Sequence, residues 1–250
     1  MHSTPRIRDV RLSRRFATTL NEQHTQLEVR AGAVHGICFH GVGEPRRPLE
    51  PGENRFWIAG NTFRSILDVL GGRDDVRITF DDGNVSDLDV ALAELLERDL
   101  TATFFVIAGR IGAPGSLDED GIRELARRGM TIGSHGMDHR PWRRLTSPDR
   151  EREFIEARER ISAVIGNQVD EAAVPLGMYD RRSLSDLARL GYGAVHTSER
   201  MPGRWGSWLQ PRFSIGACDT AESVKQHVLA DPSSARRRWL EARARLKRLR

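Results

Sequence analysis

The sequence predicts an α/β fold, a parallel sheet closed into a barrel, in a single domain with a basic C-terminal helix. Two observations carry this. Apolar strand-like runs alternate with helical patterns about six or seven times along the 250 residues, which points to parallel strands joined by crossover helices. Furthermore, His40, Asp81, Asp82, His135 and Pro175 all fall at the C-terminal ends of predicted strands. Barrels gather site residues on that face from many strands, whereas an open sheet collects them at a switch point.

Taken in order, residues 1–33 have no clear period and read as an irregular lead-in with one short strand, Gln26 to Arg30. The barrel is expected over 34–220 and a basic helical tail over 221–250. A buried strand, Val34 to Phe39, ends at His40. The Pro- and Gly-rich stretch 43–60 reads as a long loop. Thr62 is placed as the cap of a helix with Phe63, Ile66, Leu67 and Leu70 inward, closed by Gly71. Strand Val76 to Phe80 delivers Asp81 and Asp82, and Ser86, with Asp89 three residues on, is expected to cap the next helix. The apolar centre of Thr101 to Ile107 fits a strand buried on both faces. A helix at 120–128 leads to strand Met130 to Ser134, and Ser147-Pro148 starts a long charged helix. Strands follow at 172–174, 193–197 and 213–215, with helices at 182–190, 221–229 and 234–249.

Composition sets limits on this. Hydrophobic residues make up 38% and charged residues 30% of the chain, as in a globular protein with a wet surface. No apolar run approaches the roughly 20 residues of a membrane helix, and no signal-like apolar region opens the chain, so a cytoplasmic location is expected. The two cysteines form no disulfide framework, and Cys38, within an apolar run, is expected as a buried thiol. The net charge is +4. Residues 236–250 hold eight Lys or Arg and one Glu, hence +7, which leaves −3 for the rest. The body is therefore not a basic nucleic-acid surface, and no nucleic-acid partner is expected. The tail is read as a helix docking by a narrow apolar seam among Trp239, Leu240, Leu246 and Leu249. Contact with a membrane surface or a protein is the alternative.

The chemistry lies in two short stretches. In Thr79-Phe80-Asp81-Asp82-Gly83, adjacent carboxylates follow a strand and are costly to bury together unless something pairs with them. In Ser134-His135-Gly136-Met137-Asp138-His139, the i, i+4 spacing would put both imidazoles on one face of a helical turn. One carboxylate and two histidines make a three-ligand metal site with positions left for water and substrate. The bland alternatives are an Asp-Gly turn and a solvated helix start. Trp142, Trp205 and Trp208 could line a sugar cleft or pack under loops. His196 reads as structural.

At these residues the sequence resembles the polysaccharide deacetylase family (carbohydrate esterase family four, the NodB-homology domain). Its first motif matches Thr79 to Gly83 and its second His135 to His139, with the strand around Phe104 and Phe105 between them. The resemblance covers roughly 34–215. It implies a distorted (β/α)7 barrel and a metal-dependent hydrolase that removes an acetyl group from an N- or O-acetylated sugar or polysaccharide, so the expected partner is a carbohydrate. By position, Asp82, His135 and His139 would hold a divalent metal, usually zinc, and Asp81 would be the general base. The third motif is reduced to Pro175-Leu176-Gly177-Met178-Tyr179. Pro175, Leu176, Gly177 and Tyr179 are the expected substrate-binding residues, with the Leu176 amide an oxyanion donor. The motif's Arg is absent, and Arg212 is the candidate to replace it. The stretch Gly36 to Gly43 is similar to a circularly permuted exopolysaccharide branch, which makes His40 the expected general acid, with His227 the alternative. Two rival readings remain: a hydrolase of another non-peptide C–N bond, or a catalytically weak glycan-binding or scaffold barrel.

Overall fold

The computed structural model describes residues 32–230 and 232–248. The proposed strand at 26–30 lies outside them. The chain opens with β1 (Ala33–Phe39) and a two-residue β2 (Gly41–Val42). A 3-10 turn, Glu53–Phe56, leads into β3 (Trp57–Ile58), which pairs parallel with β2. The stretch 43–60, expected as loop, therefore contains one strand of a small sheet. Two-residue strands carry no readable period. Tertiary contact fixes this pair, because the Trp57 ring covers Gly41 so closely that a Cβ there would lie 2.2 Å from it.

Next come α1 (Gly60–Leu70) and β4 (Val76–Asp82). Helix α1 starts two residues before the predicted cap, with Ala59 at the N-cap and Thr62 inside its first turn. A π-helical turn, Asp87–Ala91, runs into α2 (Leu92–Glu97). Ser86 does not cap it. Its Oγ instead accepts from the Val42 amide at 3.3 Å, tying β2 to this turn. β5 (Ala102–Val106), α3 (Glu119–Arg127) and β6 (Thr131–Ser134) follow. The charged helix begins as α4 (Ser147–Glu151), capped by a Thr146–Asp149 box. It passes through a π-helical turn, Arg152–Glu156, and continues as α5 (Ala157–Ile165). β7 (Glu171–Ala173), α6 (Arg181–Arg189), β8 (Ala194–Thr197), β9 (Gly203–Arg204), β10 (Leu209–Ser214), α7 (Ala221–His227) and α8 (Ser234–Arg248) complete the order.

Seven parallel strands, β1, β4, β5, β6, β7, β8 and β10, form a closed (β/α)7-type barrel. The ring shuts where β10 pairs with β1, with Gly36 opposite Arg212, while β9 runs antiparallel against the start of β1. Strand alternation divides the side chains. Phe39, Phe80 and Phe104 stack at 5.3 and 4.6 Å in the apolar cluster shared with α1. Their alternates Cys38, Thr79 and Asp81 lie in contact with the Arg212 side chain or its field. Arg212 passes over Phe105 at 5.2 Å, and Phe105 meets His196 at 4.8 Å. The barrel therefore has a polar, buried axis inside an apolar shell. A second apolar cluster, around Trp142, Phe154 and Tyr179, sits where β7 and β8 meet the α4–α6 region. Among the described residues no helix is long and apolar enough to cross a membrane.

Candidate active site

Asp81 and Asp82 end β4 and separate there. Asp82 has φ +81, in the left-handed region that non-glycine residues enter at a cost but Asp tolerates better than most. That turn breaks strand alternation, so both carboxylates line the same cavity of about 350 Å³. Arg212 grips Asp81 with two bonds, Nη1 to Oδ1 at 2.7 Å and Nη2 to Oδ2 at 2.8 Å, while Nη1 also reaches Thr79 at 3.0 Å. Burial alone would raise the Asp81 carboxyl. The Arg212 guanidinium, with His135 and His40, outweighs it and holds the group well below the usual carboxylate range. Gly36 makes this possible, since a Cβ there would stand 2.9 Å from the Arg212 Cγ.

Asp82 faces the two histidines. Its Oδ1 lies 3.6 Å from His135 Nε2 and 3.4 Å from His139 Nε2. The far nitrogens identify the tautomers. His135 Nδ1 sits 2.9 Å from the Ala173 carbonyl and His139 Nδ1 2.7 Å from the Glu50 carboxylate, so both Nδ1–H groups donate. Burial lowers the His135 pKa to about 4 against the upward pull of Asp81 and Asp82. His135 Nε2, His139 Nε2 and an Asp82 carboxylate oxygen therefore converge within 4.8 Å, and Asp82 Oδ1 has no hydrogen-bond partner. This donor set fits a cation, which would relieve the mutual repulsion.

The His pair does not lie on a helical turn as its spacing suggests. Residues 135–140 are non-helical, with Gly136 at φ +77 and His139 at φ +51. The loop winds around the buried Glu153 carboxylate, which accepts from the Met137 amide at 3.0 Å, the Asp138 amide at 3.1 Å and Trp142 Nε1 at 3.2 Å. Those amides serve Glu153 rather than carbonyls four residues back. A Cβ on Gly136 would collide with the same carboxylate at 2.2 Å.

His40 lines the cavity beside Asp81, and its ring stacks on Phe56 at 4.7 Å with 15° between planes. His227 does not. It is exposed at the end of α7 and borders a different cavity with Arg200 and Arg236. Leu176 (58% exposed, φ +55) and Gly177 line the pocket. Tyr179 and Pro175 are buried and do not line it, contrary to the substrate-binding expectation. Tyr179 faces Glu199, to which its hydroxyl donates at 2.7 Å. Arg212, the candidate for the missing motif arginine, is buried and pairs with Asp81 rather than lining the cavity. Trp142 is fully buried and Trp208 bonds to the Tyr192 carbonyl, so neither lines the pocket.

Sequence reading missed Glu50, Glu53, Phe56 and Glu153. The first three come from the stretch 43–60. Glu50 pairs with both His139 and Arg110, and Arg47 binds Glu53 and Asn84, clamping that stretch over the pocket. Carboxylates in a long loop straight after a barrel strand were the available signal.

Comparisons with known proteins agree with this geometry. The sequence profile described as polysaccharide deacetylase matches residues 70–195. Bacillus subtilis (strain 168) YxkH, provisionally named a polysaccharide deacetylase, is 30% identical over 124 residues, which cover 50% of this chain and 44% of that protein. A chitin deacetylase of Colletotrichum lindemuthianum is 28% identical over 124 residues, covering 49% and 50%. The chain thus spans half or less of the length of these curated relatives. Among solved structures, the Streptococcus pyogenes deacetylase PplD, in complex with acetate, superposes with a TM-score of 0.69 at 19% identity, covering 79% of this chain and 99% of that one. It carries the same fold.

Proposed function

The chain belongs to the polysaccharide deacetylase family, and on that premise we propose that it is a metal-dependent hydrolase releasing acetate from an N- or O-acetylated sugar or polysaccharide. The observation that carries the reading is the division of labour between neighbouring carboxylates. Asp82 completes a convergent donor set with His135 and His139, while Asp81 is kept ionised by Arg212. Asp82, His135 and His139 would hold the metal, and zinc suits two imidazoles and one carboxylate. When bound, such a cation supplies Lewis acidity, polarising the acetyl carbonyl and acidifying a water.

The protein's own groups do the rest. Asp81 accepts the proton of the attacking water. The guanidinium that keeps it ionised also makes it a weak base, so it suits a nucleophile that is already acidified. The Leu176 amide, on the positive-φ turn at the rim, donates to the developing oxyanion. His40, held flat against Phe56 across the cavity, protonates the departing amine or alcohol. Glu50 and the Ala173 carbonyl fix the two imidazoles so that both Nε2 lone pairs face inward.

The test measures acetate and ammonia release from acetylated amino-sugar oligomers, before and after chelation and metal replacement. Acetate without ammonia, lost on chelation and restored by metal, is expected. Ammonia release, or full turnover by metal-free protein, would overturn the reading. In the same assay His40→Gln is expected to slow N-deacetylation about 100-fold or more, and His227→Gln to leave it unchanged.

A further inference from the structure

We propose that the outer face of α8 docks on an anionic lipid bilayer, lying along the interface and holding the barrel mouth at the membrane surface. The helix has two unlike sides. Leu240 and Ala244 are buried against the body. On the far side Trp239 (59% exposed) and Leu246 (62% exposed) stand seven residues apart, two of the three exposed large hydrophobic side chains among the described residues. At 100° per residue, Ala242 falls into the same stripe. Arg238 and Arg245 flank it on one side and Arg236 and Arg243 on the other, and Arg243 lies over the Trp239 ring at 5.5 Å. An aromatic and aliphatic stripe between two arginine rails, on a helix too polar to span, is the pattern of an interfacial helix. The rings and methyls enter the headgroup boundary while the guanidinium groups stay with the phosphates.

Charge favours lipid over other occupants. Residues 236–250 carry +7 against −3 for the remainder, so attraction to an anionic surface is focused on this one element. A second copy meeting the face across a two-fold axis would set arginine rail against arginine rail. A nucleic-acid backbone would leave the Trp239–Leu246 stripe uncovered by anything apolar.

The helix is also coupled to the pocket. Lys247, in its last turn, donates to Glu199 Oε1 at 2.9 Å and lies over the Tyr179 ring at 4.7 Å. Its Nζ is 3.9 Å from where a Cβ of Gly177 would sit, and Gly177 lines the cavity. A bilayer gripped by α8 is thus about one helix diameter, ~10 Å, from the catalytic rim. On the deacetylase reading, on which this step rests, the preferred substrate is an acetylated glycan held at the membrane surface.

The experiment is co-sedimentation of the full chain with vesicles of phosphatidylcholine alone and of phosphatidylcholine with about one-third phosphatidylglycerol. Binding is expected to the mixed vesicles and to fall about tenfold or more in the double variant Trp239→Ser, Leu246→Ser, and again in Arg238→Glu, Arg245→Glu. These side chains are outside the pocket, so deacetylation of a small soluble chito-oligosaccharide should be unchanged. Wild type failing to bind overturns the proposal, and so does undiminished binding by the Ser variant. A concentration-dependent dimer in ultracentrifugation, lost in that variant without any effect on vesicles, would assign the face to a second copy and also overturn it. Vesicle binding without turnover of the soluble substrate would overturn the catalytic reading alone. Turnover without vesicle binding would overturn the docking alone.

Discussion

The two walls of the pocket are assembled in opposite ways. Asp82, His135 and His139 come from two short stretches, each ending a strand, and the three ligand atoms meet within 4.8 Å. The facing wall draws Asp81 from β4, Arg212 from β10, His40 from the end of β1 and Phe56 from the following turn. Asp81 and its guanidinium are 131 residues apart. A metal site on these residues would demand lone pairs aimed at one point, and the local backbone would have to aim them. Asp82 at φ +81 and His139 at φ +51 show the cost. A counter-charge needs only to arrive at the right height in the barrel, and any strand whose neighbour leaves room can bring it. Here Gly36 leaves that room for Arg212.

The sharpest way to break this contrast is to exchange charge for neutrality at the two adjacent aspartates. Asp82→Asn should lose metal and turnover together, whereas Asp81→Asn should keep the metal and slow turnover by about 10²–10⁴. Metal content by elemental analysis beside acetate release decides it. If both variants lose metal equally, the two walls are one site without separate roles.

The next largest effect concerns the buried ion pair. Arg212→Met leaves the Asp81 carboxylate buried and unpaired, which should destabilise the protein by about 3–5 kcal/mol in urea unfolding. The double variant Asp81→Asn, Arg212→Met removes both charges and should recover most of that loss while staying inactive. Additive losses instead would mean that the bidentate pair is not the dominant contact of either residue. A smaller change, Glu50→Gln, should weaken metal affinity about 10- to 100-fold yet leave the rate at saturating metal nearly intact, because Glu50 acts on the site by orienting His139. Competition with a chelating dye reads the affinity directly. Unchanged affinity would remove Glu50 from the metal wall.

Much of this was legible in the residues, and the limits have physical causes. The alternation of strands and helices, the barrel and the Asp and His motifs are all local patterns, so they could be read. Caps and short strands were less readable because tertiary partners overrode local preference. The Val42 amide occupies Ser86, Trp57 packed on Gly41 turns part of an expected loop into a strand, and Glu153 unwinds what His135 and His139 suggest as a helical turn. Tyr179 shows the reverse error. A polar aromatic beside a motif invites a sugar-binding reading, but its hydroxyl is committed to Glu199, which Thr197 and Lys247 also bind.

His196 probes the polar barrel axis beneath both walls. Its ring is fully buried, meets Phe105, and places Nε2 at 2.9 Å from Glu171 Oε2. Burial lowers its pKa to about 4, helped by the Arg212 charge and opposed by Glu171. The unfolded chain, with a His pKa near ~6.5, binds a proton that the folded state refuses between those two values. The stabilisation is therefore complete above pH ~6.5 and is lost as pH falls toward about 4, with a ceiling of about 3 kcal/mol. His196→Gln has no such proton to refuse. Taking the stability difference between wild type and variant at each pH cancels the contribution of His135, which shares the window. Wild type should lose stability relative to the variant on acidification from pH ~6.5 to ~4. Parallel curves would mean that His196 is solvated or paired as a cation, and that the axis under Asp81 is wetter than its packing indicates.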